Sequence, residues 1–148
     1  MKIKTTRFGE IEKDENVTYK FVIPILGFNE EDEFMLVEAN ATSAFKWLQS
    51  TKTPELAFAV TAPAFFDIEY SFELPDEVET TLEIKSAEEL LVLNMAKIPN
   101  NNPRKTTLNL LAPIIFNTTN HHAGQVILNK TGFSVTHPLF DDEKRKEE

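Results

Sequence analysis

The side chains best suited to acid–base or metal chemistry in this chain are three histidines and 24 carboxylates; there is no cysteine. His121 and His122 are adjacent within Asn117-Thr-Thr-Asn-His-His-Ala-Gly124. A zinc site needs ligands at i, i+4 or with a fixed carboxylate or thiolate partner, and two neighbouring histidines in an Asn-rich loop do not supply that spacing. His137 precedes a proline among apolar residues, so a packed or capping imidazole is a simpler reading than a general base. Carboxylate pairs abound, as in Asp67 with Glu69 or Glu30 to Glu33. Glycoside hydrolysis needs two acids across a cleft, one of them partly buried, whereas runs of acids read as solvated surface. The four glycines build neither a phosphate loop nor a dinucleotide fingerprint, and no G-x-S-x-G elbow occurs. The sequence therefore predicts no catalytic residue, no cofactor and no metal site.

Those carboxylates are unevenly placed. The net charge is −9, yet residues 90–140 contain no Asp or Glu. One acidic block, 29–38, holds five acids and no base; another, 67–89, holds nine acids and Lys85 alone. Such segregation predicts differently charged faces, and hence recognition rather than catalysis. It argues against direct nucleic-acid binding, which needs clustered Lys and Arg. A basic protein is the natural complement. The candidate protein-binding residues are Glu30, Glu31, Asp32, Glu33, Asp67, Glu69, Asp76, Glu77 and Glu79. Gly27-Phe28-Asn29 ahead of the first block predicts an exposed turn, anchored by Phe28, that presents four carboxylates to water.

The elements that must position these groups read as β. Short runs rich in Val, Ile, Phe and Thr at 3–6, 17–25, 34–39, 45–50, 56–61, 70–74, 80–84, 90–98, 107–116, 126–129 and 133–136 are bounded by Gly, Pro, Asn and Asp. About eleven short strands at close spacing predict a mainly all-β fold: a compact antiparallel β-barrel-like single domain over residues 1–140, with one or two short helical turns. The turns are expected at Ser86-Ala-Glu-Glu89, which has capping-box spacing, and at Pro63-Ala-Phe-Phe-Asp67. Residues 141–148, charged at every position, read as a frayed tail. Trp47 lies in a strand-like segment and is expected in the core. No run approaches the ~20 apolar residues of a membrane span, and nothing after Met1-Lys-Ile-Lys-Thr-Thr-Arg7 resembles a signal peptide, so a cytoplasmic protein is expected. A Phe-rich barrel could alternatively enclose a small apolar ligand.

Three stretches in order carry a resemblance: Asn109-Leu-x-Ala-Pro-Ile-x-x-Asn117 followed by Gln125-Val-Ile-Leu128 and His137-Pro-Leu139; Trp47-Leu-Gln-Ser50 with Pro54-Glu-Leu-Ala-Phe58; and Phe8-Gly9 with Ile11, then Phe21 with Gly27-Phe28 and the acidic run. Together they resemble the FliW family of bacterial flagellar assembly factors, from about Ile3 to Phe140. The chain departs from the family in reading Pro24-Ile-Leu-Gly-Phe28 where many members have Gly-Ile-Pro-Gly-Phe, and Ala62 where an Asp is common before the proline. The resemblance implies a β-barrel-like protein without enzymatic activity and with two protein partners. One is CsrA, a dimeric RNA-binding repressor of flagellin translation; the other is flagellin. Free protein would relieve repression, and accumulating flagellin would withdraw it. A monomer is expected.

Overall fold

Period-two burial sets the first element. In β1 (Lys2–Thr5) Ile3 and Thr5 are buried while Lys2 and Lys4 face water, as the sequence predicts, and β1 pairs with β2 (Gly9–Glu12) in a hairpin. A meander follows: β3 (Thr18–Ile23), β4 (Glu33–Val37), β5 (Lys46–Ser50) and β6 (Ala57–Thr61) pair antiparallel in sequence order. After an excursion come β7 (Leu90–Lys97), β8 (Thr107–Leu108), β9 (Ile114–Asn117), β10 (His122–Gln125) and β11 (His137–Pro138). The computed structural model describes residues 1–38, 43–129 and 131–140; the expected tail at 141–148 and the end of the expected strand 34–39 lie outside them.

Seven strands close into a ring, in the order β3-β4-β5-β6-β7-β9-β10 and back to β3. Six of these pairings are antiparallel and one, β10 with β3, is parallel. Parity requires this. Seven alternating strands bring the last into the same direction as the first, so the closing pair cannot be antiparallel. Closure leaves the ring no open edge. β8 and β11 extend beyond the ring from the end of β7.

The interior is filled by Tyr19, Phe21, Phe34, Leu48, Phe116 and their neighbours. Edge-to-face rings set its geometry, with centroids 4.8 Å apart for Tyr19–Phe116 and 5.1 Å for Phe21–Phe34. The space an apolar ligand would need is thus occupied by the chain's own rings. A second apolar layer lies outside. The excursion between β6 and β7 packs Tyr70, Phe72, Leu74, Val78 and Leu82 against Leu90, Val92 and Ile115. β7 and β9 are therefore covered on both faces, which is why their apolar text runs unbroken instead of alternating.

Several expected strands have other forms. Residues 70–74 form no strand, and 80–84 belong to the end of a helix, α1 (Asp76–Thr81), and the turn after it. Asp76, Glu77 and Glu79 occupy the first turn of α1 behind Pro75, where acids suit the helix N-terminus. The expected strand 107–116 is broken, because the Asn109 side chain accepts from the Ala112 amide at 2.9 Å and Pro113 has no N–H to donate. Strands form at 122–125 and 137–138; the expected strands at 126–129 and 133–136 keep only isolated backbone bonds, Val126 N to Pro113 O, Leu128 N to Leu111 O and Leu110 N to Ser134 O. The turn at Pro63–Phe66 forms as expected. A 3-10 turn also forms at Ala87–Glu89, but Ser86 does not cap it; the Glu89 carboxylate instead accepts from the Lys85 amide.

Candidate protein-interaction surface

The polar residues of the most patterned sequence are committed to the scaffold. Gln49 is fully buried, and its Nε2 faces the carbonyls of Ser50, Thr53, Pro54 and Leu56 at 3.0–3.4 Å. Ser50 Oγ accepts from the amides of Lys52 and Thr53, completing that turn. Asn117 Nδ2 donates to the Leu82 carbonyl at 2.8 Å, just past α1, while its Oδ1 accepts from Thr119 N. Gln125 joins the break before β9 to the turn before β4: it donates to Ala112 O and accepts from Leu26 N. In that turn Phe28 N reaches Ile25 O at 2.8 Å, and Gly27 supplies the φ of 89° that a type II turn needs. The departure at Pro24–Phe28 thus still folds as a tight turn.

Of the histidines, His121 is structural. His121 stacks on Tyr19 with ring centroids 5.1 Å apart, and its Nδ1 lies 3.2 Å from Thr18 O. Among the described residues no three His, Asp or Glu side chains converge on a point that could hold a metal ion.

The first acidic block is largely tied down. Phe28 anchors its turn against Phe58 as the sequence predicts. The four carboxylates do not simply face water, however. Glu31 accepts from Ser50 Oγ at 2.8 Å and from Thr53 Oγ1. Asp32 pairs with Lys52 at 2.6 Å, and Glu33 pairs with Lys13 at 2.8 Å while accepting from Thr51 Oγ1. Glu30 alone stays outside this lattice and is exposed. The Lys52 hydrogen bond holds the Asp32 carboxyl below its usual range. Partial burial works to raise Glu33, but the bonds from Lys13 and Thr51 outweigh it and hold Glu33 low as well. The hydrogen bond to Glu33 likewise raises the Lys13 ammonium.

The second block differs. Asp67, Glu69, Glu73, Asp76, Glu77, Glu79, Glu83 and Glu88 are all exposed. Among the described residues no Lys or Arg lies within ion-pair distance of any of them. Five of them, Glu69, Glu73, Asp76, Glu79 and Glu83, border a furrow. At one end, a cavity of about 540 Å³ lies between residues 62–74 and the outer faces of β7 and β9, floored by Leu90, Val92 and Ile115. It continues through Leu74 and Leu90 into hollows lined by Glu73, Asp76, Glu79 and Glu83. The structure therefore separates the candidate residues. Asp67, Glu69, Asp76, Glu77 and Glu79 belong to this free acidic face; Glu30 to Glu33 sit by the turn at 50–53. Glu73 and Glu83, which belong to the acidic block 67–89 but not to the candidate residues, also line the furrow, and nothing in the sequence distinguishes them from other surface acids.

Comparison with known proteins agrees with this scaffold. The profile of the family described as "FliW protein" matches residues 2–139. A protein of Ruminiclostridium cellulolyticum named flagellar assembly factor FliW is 36% identical over 99% of both chains. One of the same name from Leptospira biflexa is 38% identical, covering 94% of this chain and 91% of its own. The crystal structure of a flagellar assembly factor FliW superposes with a TM-score of 0.87 at 32% identity, over 95% of this chain and 98% of that one. With the same closed barrel and a match from end to end of the described fold, this chain belongs to the FliW family.

Proposed function

We propose that this protein is a non-enzymatic regulator of flagellum assembly in the cytoplasm, binding CsrA so as to relieve its repression of flagellin translation, and binding flagellin in exchange. Support comes from membership of a family whose named members are flagellar assembly factors. The observation that carries the CsrA contact is the run of exposed carboxylates along residues 67–88, without a Lys or Arg ion-pair partner among the described residues. An RNA-binding repressor presents basic surface. An acidic face speeds its encounter and competes with RNA phosphate for the same charges. Exchange between the partners requires antagonism, either by overlap or through a coupling of ~1–3 kcal/mol. Among the described residues no helix is long and apolar enough to cross a membrane.

The test is association kinetics with purified CsrA from the same host at two salt concentrations. Reversal of Glu73, Asp76 and Glu79 to Lys is expected to slow association about tenfold at low salt, with the difference narrowing as salt screens the field. Added flagellin is expected to displace CsrA. An unchanged low-salt rate removes this face from the contact, and failure to bind CsrA at all sinks the reading.

A further inference from the structure

Residues 69–74 form a strap with the burial rhythm of a strand and none of its pairing. Tyr70, Phe72 and Leu74 turn into the outer apolar layer, while Glu69, Ser71 and Glu73 are exposed. Among the described residues no backbone N–H or C=O of 69–74 makes a hydrogen bond. Side chains alone hold the strap, with the Tyr70 hydroxyl donating to Leu110 O as its polar tether. The strap also forms one wall of the furrow, facing the apolar floor of Leu90, Val92 and Ile115. A closed barrel removes open edges, so a segment with strand rhythm and no pairing among the described residues, beside an apolar groove, is a place where a further strand can be added.

We infer that the furrow receives an extended, basic segment of a partner protein, which pairs with strap 69–74 as an added strand. The strap offers alternating donors and acceptors along its free edge. The floor accepts apolar side chains from every second residue of such a segment. Glu69 beside the groove, with Glu73, Asp76 and Glu79 further along, selects Lys or Arg, since among the described residues Lys85 is the only base lining the furrow. This inference rests on the protein-binding reading above and names the kind of segment that binding would engage.

The test is residue-resolved amide exchange by NMR on the full-length protein, alone and saturated with CsrA or with flagellin. In one of the complexes, alternate amides of 69–74 are expected to slow at least about tenfold while those between them stay fast, the pattern of a strand paired along one edge. Reversal of Glu69 and Glu73 to Lys, both exposed, is expected to weaken that complex about tenfold without altering the free protein's circular dichroism. If a complex forms and the strap exchanges as in the free protein, the added strand is wrong while the binding function stands. Unchanged affinity of the reversed variant refutes the basic character of the segment. Should neither partner bind, both readings fall. Alternate protection already present in the free protein, and lost on removing residues 141–148, would assign the furrow to this chain's own end and overturn the proposal.

Discussion

The guanidinium of Arg7 lies over the indole of Trp47, its central carbon 3.7 Å from the ring centroid. Trp47 is half-buried, not the core residue its strand-like setting predicts, because it points to the outer face of β5 while Leu48 turns inward. Arg7, between β1 and β2, supplies the lid the barrel does not. Trp47→Ala is accordingly expected to cost about 1–2 kcal/mol, below the ~3–5 kcal/mol of a core tryptophan, and Arg7→Ala about 0.5–1 kcal/mol. Urea unfolding followed by circular dichroism measures both. A blue-shifted emission maximum that does not move in Arg7→Ala contradicts the assignment.

Asn117 is buried, and its amide satisfies the carbonyl left free where α1 ends. Replacing it with Ala leaves that carbonyl only the Asn120 amide, 3.2 Å away, and strands the Thr119 amide. The expected loss is about 2–3 kcal/mol, the range for orphaned buried polar groups. Faster exchange should be confined first to residues 82–84 and 118–120. A loss below 0.5 kcal/mol, a threshold set by ordinary surface substitutions, shows the cap to be dispensable.

At the parallel seam, a Cβ added to Gly124 would lie 2.5 Å from Ile23 Cβ. The register of β10 against β3 shifts at this point, between Ala123 and Gly124. Gly124→Ala is therefore expected to destabilise by at least ~1–3 kcal/mol, through forced separation of the closing strands. Adding Ile23→Ala should not rescue it, since alanine keeps the offending Cβ. Restored stability in the double variant would place the strain elsewhere.

The acidic turn makes a pH statement. Glu33 titrates below its usual 4.5, so its bond to Lys13 stabilises the fold above that value and is lost as pH falls through the lowered folded value. Lys13 titrates above its usual 10.5, so its share is complete below 10.5 and is lost as pH rises through the raised value. Both contributions are present at neutral pH. Glu33→Gln is expected to lower stability there by about 1 kcal/mol, allowing for solvent screening, and to flatten the acid limb of a melting-temperature profile. Glu31→Lys is expected to destabilise as well, by breaking its bonds to Ser50 and Thr53, whereas Glu30→Lys leaves the fold unchanged. Equal effects of these last two substitutions would show that the lattice is not structural.

The sequence by itself determined the class of the fold, most strand positions and the segregation of charge. Alternation at Ile3 and Thr5, the apolar inward residues of β3 to β6, and the turn residues Gly27 and Pro63 act locally, and local chemistry is readable from local text. Of the polar residues that carry the family resemblance, Gln49 and Asn109 also fasten their own turns, whereas Asn117 and Gln125 reach segments distant in sequence, which only the tertiary structure reveals. Only the tertiary structure decided which acids are free. Glu31, Asp32 and Glu33 look like Glu69, Asp76 and Glu79 in the sequence, but residues about 20 positions away or more, Ser50 and Lys52 among them, reach the first set and not the second. The same is true of 70–74, whose alternation spells a strand. A strand needs a neighbour as well as a pattern. Once seven strands had closed on themselves, there was no edge left in the ring for it to join.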